Sequence, residues 1–158
     1  MSQSQPCSPP PAEAGSRRAA MALLAQARTS EIAQGLKALA QSLRYVELRP
    51  AATGLVMVRG RIGGDGAPFN LGEATVTRAS VQLASGEIGF AYVLGREPEK
   101  ARLAALCDAL WQSDSHRSAV ERHILTPIRA RRERERVQLR AQTAPTRAEF
   151  FTMVRGED

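Results

Sequence analysis

The chain reads as an α+β domain: an antiparallel four-stranded meander packed against helices, with an extended arginine-rich helix toward the C-terminus. Three observations predict this. Apolar residues recur at helical spacing up to Leu43, alternate from Tyr45 to Leu94, and return to helical spacing after Pro98. The alternating segments are joined by short links, which pair neighbours antiparallel. Between Pro127 and Arg140 stand six arginines (Arg129, Arg131, Arg132, Arg134, Arg136 and Arg140) against Glu133 and Glu135, so this segment holds +4 of the formal +6.

Residues 1–15 contain Pro6, Pro9, Pro10 and Pro11 among Ser, Gln and Ala, a composition expected to form a disordered leader. A single domain is expected over 16–158. Its first helix carries Ala20, Leu23, Leu24 and Ala27 on one face. A second, capped by Thr29 or Ser30, carries Ile32, Leu36, Leu39 and Leu43. Four strands follow. Tyr45, Val46 and Leu48 open the first. Residues 54–61 form the second, with Leu55, Met57, Arg59 and Arg61 on one face and Val56 and Val58 on the other. Residues 73–83 and 87–94 form the third and fourth, joined by a Ser85-Gly86 turn, and Ile88, Phe90, Tyr92 and Leu94 share a face. Pro98 opens a helix with Leu103, Leu106, Cys107, Leu110 and Trp111 as its stripe. A break at 113–115 leads to a weaker helix with Val120 and Ile124, and Thr126-Pro127 restarts helix into the arginine segment.

With 158 residues, 43% of them hydrophobic, the chain can bury one core of ordinary size. No apolar run approaches the roughly 18 residues of a membrane helix, and the N-terminus lacks a signal-peptide pattern, so a cytoplasmic location is expected. Cys7 and Cys107 give no disulfide framework. Cys107, among leucines, reads as a small core hydrophobe. A pI of 10.3 raises nucleic acid as a partner. No aromatic residue interleaves the arginines to stack bases, however, and Arg129/Glu133 and Arg131/Glu135 stand at the spacing of helical ion pairs. A solvated helix, or one lying on an acidic partner, is the plainer reading. The terminus is unusually apolar. Phe150, Phe151, Met153 and Val154 precede Arg155, and they predict either an intramolecular strand or docking into a partner groove, with Arg155 meeting an anionic group.

The one glycine-rich segment, residues 60–68, connects two strands and lacks the lysine and hydroxyl residue of a nucleotide-binding loop. A wide hairpin loop is the simplest account. Gly63 and Gly64 could nonetheless turn amides toward a phosphate, and Arg59, Arg61 and Arg78 flank the loop with guanidinium groups suited to phosphate oxygens. His116 and His123 have no third metal ligand near them in sequence, and no nucleophile-base pattern stands out. Catalytic residues are not assigned, and no metal or cofactor is expected on this chain alone.

Thr53-Gly54-Leu55-Val56, Arg61, Gly63-Gly64, Gly66, Phe69, the run from Gly72 to Ala79, Gly95-Arg96 and the terminal FFTMVRG at 150–156 together resemble the PhnG family, the small subunits of the bacterial carbon-phosphorus lyase system. The resemblance runs from about Arg17 to the end. It implies a role in organophosphonate catabolism within a core complex of PhnG-, PhnH-, PhnI-, PhnJ- and PhnK-like subunits, assisted by a PhnL-like protein. The implied reaction is a transferase step in which a phosphonate oxygen displaces adenine from the ribose of Mg-ATP, giving an alpha-D-ribose 1-phosphonate 5-triphosphate. Mg-ATP is then the substrate of the complex, and the isolated chain is expected to be inactive. The resemblance also implies that carbon-phosphorus cleavage falls to an iron-sulfur PhnJ-like subunit; the two distant cysteines of this chain could not hold such a cluster. Two alternatives remain at this point: a noncatalytic scaffold subunit of the same complex, and a basic nucleic-acid-binding protein.

Overall fold

The computed structural model describes residues 11–39, 43–63 and 65–144. The proline-rich segment 1–10 and the terminal segment 145–158 lie outside them. Helix α1 spans Pro11–Ala25 and α2 spans Thr29–Leu39. Pro11 occupies the first turn, where its missing N–H costs nothing, and the helix begins ahead of the Ser16 start read from the apolar spacing. The Glu31 carboxylate reaches back to the Arg28 N–H at 2.8 Å, half of a capping box, so Thr29 is the first helical residue and not the cap.

Three strands follow: β1 (Tyr45–Arg61), β2 (Pro68–Leu83) and β3 (Ile88–Leu94), paired antiparallel in the order β1-β2-β3. The expected four-stranded meander is thereby corrected to three strands, because the first two segments are one continuous strand. Pro50 reads as a strand break. In the structure it lies on a strand that is an edge among the described residues, and the register shifts between Glu47 and Arg49 and between Arg49 and Ala52 absorb the irregularity. Gly86, at a φ of 108°, makes the turn from β2 to β3 as the Ser85-Gly86 signal predicts.

Helix α3 (Pro98–Gln112) lies across β2 and β3, and α1 and α2 pack on its far side. Among the described residues α3 is the helix that lies along β2 and β3, and α2 packs chiefly on α3 and on the turn at 121–125. Being a central layer, α3 is buried nearly all round, by Ala104, Ala105 and Ala109 as well as by Leu106, Leu110 and Trp111. Small residues bring it close. A Cβ at Gly89 of β3 would run into the Ala105 carbonyl oxygen and the Ala109 amide nitrogen, so glycine there sets the helix-sheet distance.

Asp108 on α3, 1% exposed, accepts two hydrogen bonds from Arg17 of α1 at 2.8 and 2.7 Å and a third from the Phe90 N–H of β3 at 2.9 Å. One carboxylate thus joins three layers.

Ser113, extended, ends α3, and α4 (Asp114–Val120) follows. The chain then passes through one π-helical turn, 121–125, directly into α5 (Thr126–Thr143). Thr126 does not cap a new helix: the residue before it is already helical, and no side-chain capping bond forms. The wider turn carries Ile124 and Leu125 into the core, and Gly35 of α2 lets it approach. The first half of α5 is held to its own chain. Ile128 is buried, and Arg131 bonds Glu31 at 2.5 and 3.1 Å and Glu135 at 2.6 Å. From Glu133 onward every described residue of α5 is exposed, so the expected projecting arginine helix is its second half.

Candidate functional site

The helical body covers only part of the sheet. β3 pairs with β2 from Gln82 to Val76 and ends, whereas β1 and β2 run on together to Arg61 and Pro68. Among the described residues no helix lies behind this two-stranded ribbon, and its apolar residues are exposed on both faces: Leu55 and Met57 on one, Val56 and Val58 on the other, with Phe69 and Leu71 beyond. A ribbon of this kind is marginal in water by itself.

Its root is organised by Thr77, which is fully buried. The Thr77 hydroxyl donates to the Gly95 carbonyl at 2.7 Å and accepts the Glu97 N–H at 3.0 Å and the Thr53 hydroxyl at 3.1 Å. Gly95, at a φ of 90°, returns its own N–H to the Thr75 carbonyl at 2.8 Å. Strand β1, strand β2 and the turn into α3 are therefore tied at one point. Thr53, Thr77 and Gly95, far apart in sequence, all belong to the segments that carry the family resemblance.

At the ribbon's far end Arg59, Gly60, Arg61 and Pro68 line an open hollow. Arg59 and Arg61 share a strand face, as their spacing predicts. Arg61 donates to the Gly66 carbonyl at 3.2 Å, and Gly66 donates to Ile62, so part of the loop's polarity is spent on its own turn. Gly63 is in the left-handed region, with a φ of 64°, and is exposed. Gly64 lies outside the described residues.

Arg78 is elsewhere. It pairs with Ala52 and Tyr92 in the middle of the sheet, on the face turned away from α3. Arg59 lies opposite Asn70, eight positions along β2 from Arg78, which at about 3.3 Å per residue is roughly 25 Å. The structure brings Arg59, Arg61 and Gly63 together and does not bring Arg78 to them. Arg155 and the docking residues Phe150, Phe151, Met153 and Val154 lie outside the described residues.

The remaining chemistry-bearing side chains are accounted for locally. Cys107 is fully buried, and burial, with the charge of Asp108 adding to it, pushes its thiol up, away from reactivity. His116 Nδ1 lies 2.8 Å from the Ser115 hydroxyl, and His123 is exposed. Among the described residues no group of three or more His, Cys, Asp or Glu is placed to hold a metal ion. No described helix is long and apolar enough to cross a membrane. Of the arginine helix, Arg131 and Arg136 are engaged by Glu31, Glu135 and Glu133, and Arg129 by Glu121 of the π turn, so Glu133 pairs with Arg136 and not with the expected Arg129.

Sequence reasoning missed Asp108 and Thr77. Asp108 is a lone polar residue among apolar ones, a pattern that marks a buried, satisfied group, whereas Thr77 shares its strand face with Glu73 and Thr75 and carries no such signal.

A protein-family model described as phosphonate metabolism protein PhnG matches residues 15–156. A relative from Rhizobium meliloti (strain 1021), alpha-D-ribose 1-methylphosphonate 5-triphosphate synthase subunit PhnG, is 49% identical over 142 residues, covering 90% of this chain and 90% of the relative. The chain belongs to the PhnG family of phosphonate metabolism proteins.

Proposed function

We propose that this chain is one subunit of an assembly that transfers the ribose 5-triphosphate part of Mg-ATP to a phosphonate. In that reaction a phosphonate oxygen forms a bond to the ribose C1 and adenine leaves with the glycosidic electron pair. The observation that carries the subunit reading is the ribbon of β1 and β2, apolar on both faces and uncovered among the described residues. The name of the relative supplies the reaction. PhnH-, PhnI-, PhnJ- and PhnK-like subunits are the partners this reading requires, with a PhnL-like protein assisting, and the cytoplasm is the compartment that provides ATP.

Within the assembly, Arg59 and Arg61 are the groups best placed to meet an anionic phosphonate or triphosphate, since they stand side by side at the end of the ribbon. Their guanidinium groups would hold and orient such a group without exchanging a proton. A second reading, a scaffold without a site role, is favoured by there being no carboxylate-histidine pair beside them among the described residues. Adenine release from Mg-ATP and methylphosphonate by the purified complex separates the two. Arg59→Ala or Arg61→Ala that abolishes release while the complex stays intact supports a site role, and release unchanged leaves the scaffold reading.

A further inference from the structure

The sheet face turned away from α3 is the more apolar one at β3. Phe90, Tyr92 and Leu94 are 50%, 62% and 74% exposed there, while Gly89, Ala91 and Val93 face the helix. Residues directly opposite in an antiparallel pair share a face, so Tyr92 stands with Arg78, and Phe90 with Ser80 and Arg49. Leu48, Arg49, Arg78, Phe90 and Tyr92 line one shallow hollow of about 280 Å³.

Neither arginine has a hydrogen bond or ion pair among the described residues. No described strand carboxylate shares their face: Glu47 lies opposite Val81 and Glu73 opposite Met57, both on the helix side. Two unpaired guanidinium groups in an apolar, carboxylate-free field have a definite complement.

We propose that this face docks a different subunit through an apolar surface bearing carboxylates that meet Arg49 and Arg78. The inference rests on the subunit reading above and adds which face is covered and by what chemistry. A second copy of the chain does not fit, because a two-fold contact would set arginine against arginine in a molecule of formal charge +6. Phe90 and Tyr92 also offer rings on which bases could stack, so capture of nucleic acid is an outcome that decides against a protein partner. Arginine beside aromatic rings is the composition of an interface centre.

The test places a photoreactive benzoylphenylalanine at Tyr92 in the full chain, co-expressed with the co-encoded phosphonate subunits. The expected result is a cross-link to a peptide of another subunit that contains Asp or Glu. A cross-link to a second copy, to another part of the same chain or to nucleic acid overturns the proposal, as does an assembled complex without any cross-link. In parallel, Arg78→Glu is expected to weaken assembly at least tenfold, with the melting curve of the free chain unchanged. Arg122→Glu, exposed on the helical side, should match wild type. Assembly of Arg78→Glu within twofold of wild type also overturns the proposal. If the unaltered chain assembles with none of these subunits, the subunit reading itself falls; if it assembles and tolerates Arg78→Glu, only the docking face does.

Discussion

Asp108 offers the sharpest test of how the helical body is held together. Replacing it with alanine removes four acceptor contacts at once: both Arg17 bonds, the bond from the Phe90 N–H and a longer one from Gln112 Nε2 at 3.4 Å. The orphaned Phe90 amide costs about 1–3 kcal/mol, and breaking a buried ion pair by deleting one partner costs about 3–5 kcal/mol when the survivor stays buried. Arg17 is not so confined. Its side chain is 32% exposed and can turn to water, which reduces the second figure. We therefore expect Asp108→Ala to destabilise the chain by about 3 kcal/mol. Asp108→Asn keeps an oxygen for Phe90 but loses the charge and sets its NH2 against the Arg17 Nε–H, so a cost between wild type and alanine is expected. Urea denaturation of both variants, with Arg17→Ala completing a double-mutant cycle, gives the coupling directly. A cost below about 0.5 kcal/mol for Asp108→Ala, the range of ordinary surface changes, would refute the account of this carboxylate as a tie between layers.

Gly89→Ala should destabilise by about 1–3 kcal/mol or more, since its Cβ meets backbone of α3, while Gly54→Ala, with open space around it, should stay within about 0.5 kcal/mol; thermal melts compare them. Thr77→Val should cost about 1–3 kcal/mol and speed hydrogen exchange at the Glu97 amide, which loses its acceptor. Burial works to raise the Glu31 carboxyl, but hydrogen bonds from Arg131 and the Arg28 N–H, with both arginine charges, outweigh it and hold the group below the ordinary 4.5. A depressed carboxyl stabilises the fold above its unfolded value and ceases to as pH falls through its lower folded value. The stability gap between wild type and Glu31→Gln should therefore be full above 4.5 and close as pH drops below it; a gap independent of pH would contradict this.

The helices were legible because their apolar spacing faces a real core: Ala20, Leu24, Ile32, Leu36, Leu106 and Leu110 are all buried. The sheet was legible as antiparallel but not in its strand count, because a proline on an edge strand carries the local signature of a break without its consequence. Its sidedness was the harder problem. On β3 the large residues Phe90, Tyr92 and Leu94 face outward while Gly89, Ala91 and Val93 face in, and at Gly89 α3 packs too close for a Cβ. Periodicity finds the two faces of a strand; it cannot say which one this chain covers when another molecule is to cover the other. The same limit applies to the candidate site. Arg59 and Arg61 were paired correctly by strand spacing, whereas Arg78 is close to them only along the chain, not along the ribbon.

The central claim is that this chain functions as a subunit of an assembly. Native mass spectrometry of the chain purified after co-expression with the co-encoded phosphonate subunits tests it most directly. The account predicts a single heteromeric species containing this chain in fixed ratio to at least one other subunit, lost when the ribbon residues Leu55 and Met57 are both changed to aspartate while the helical content of the free chain is kept. A chain that runs as a free monomer beside an assembled complex lacking it would contradict the account.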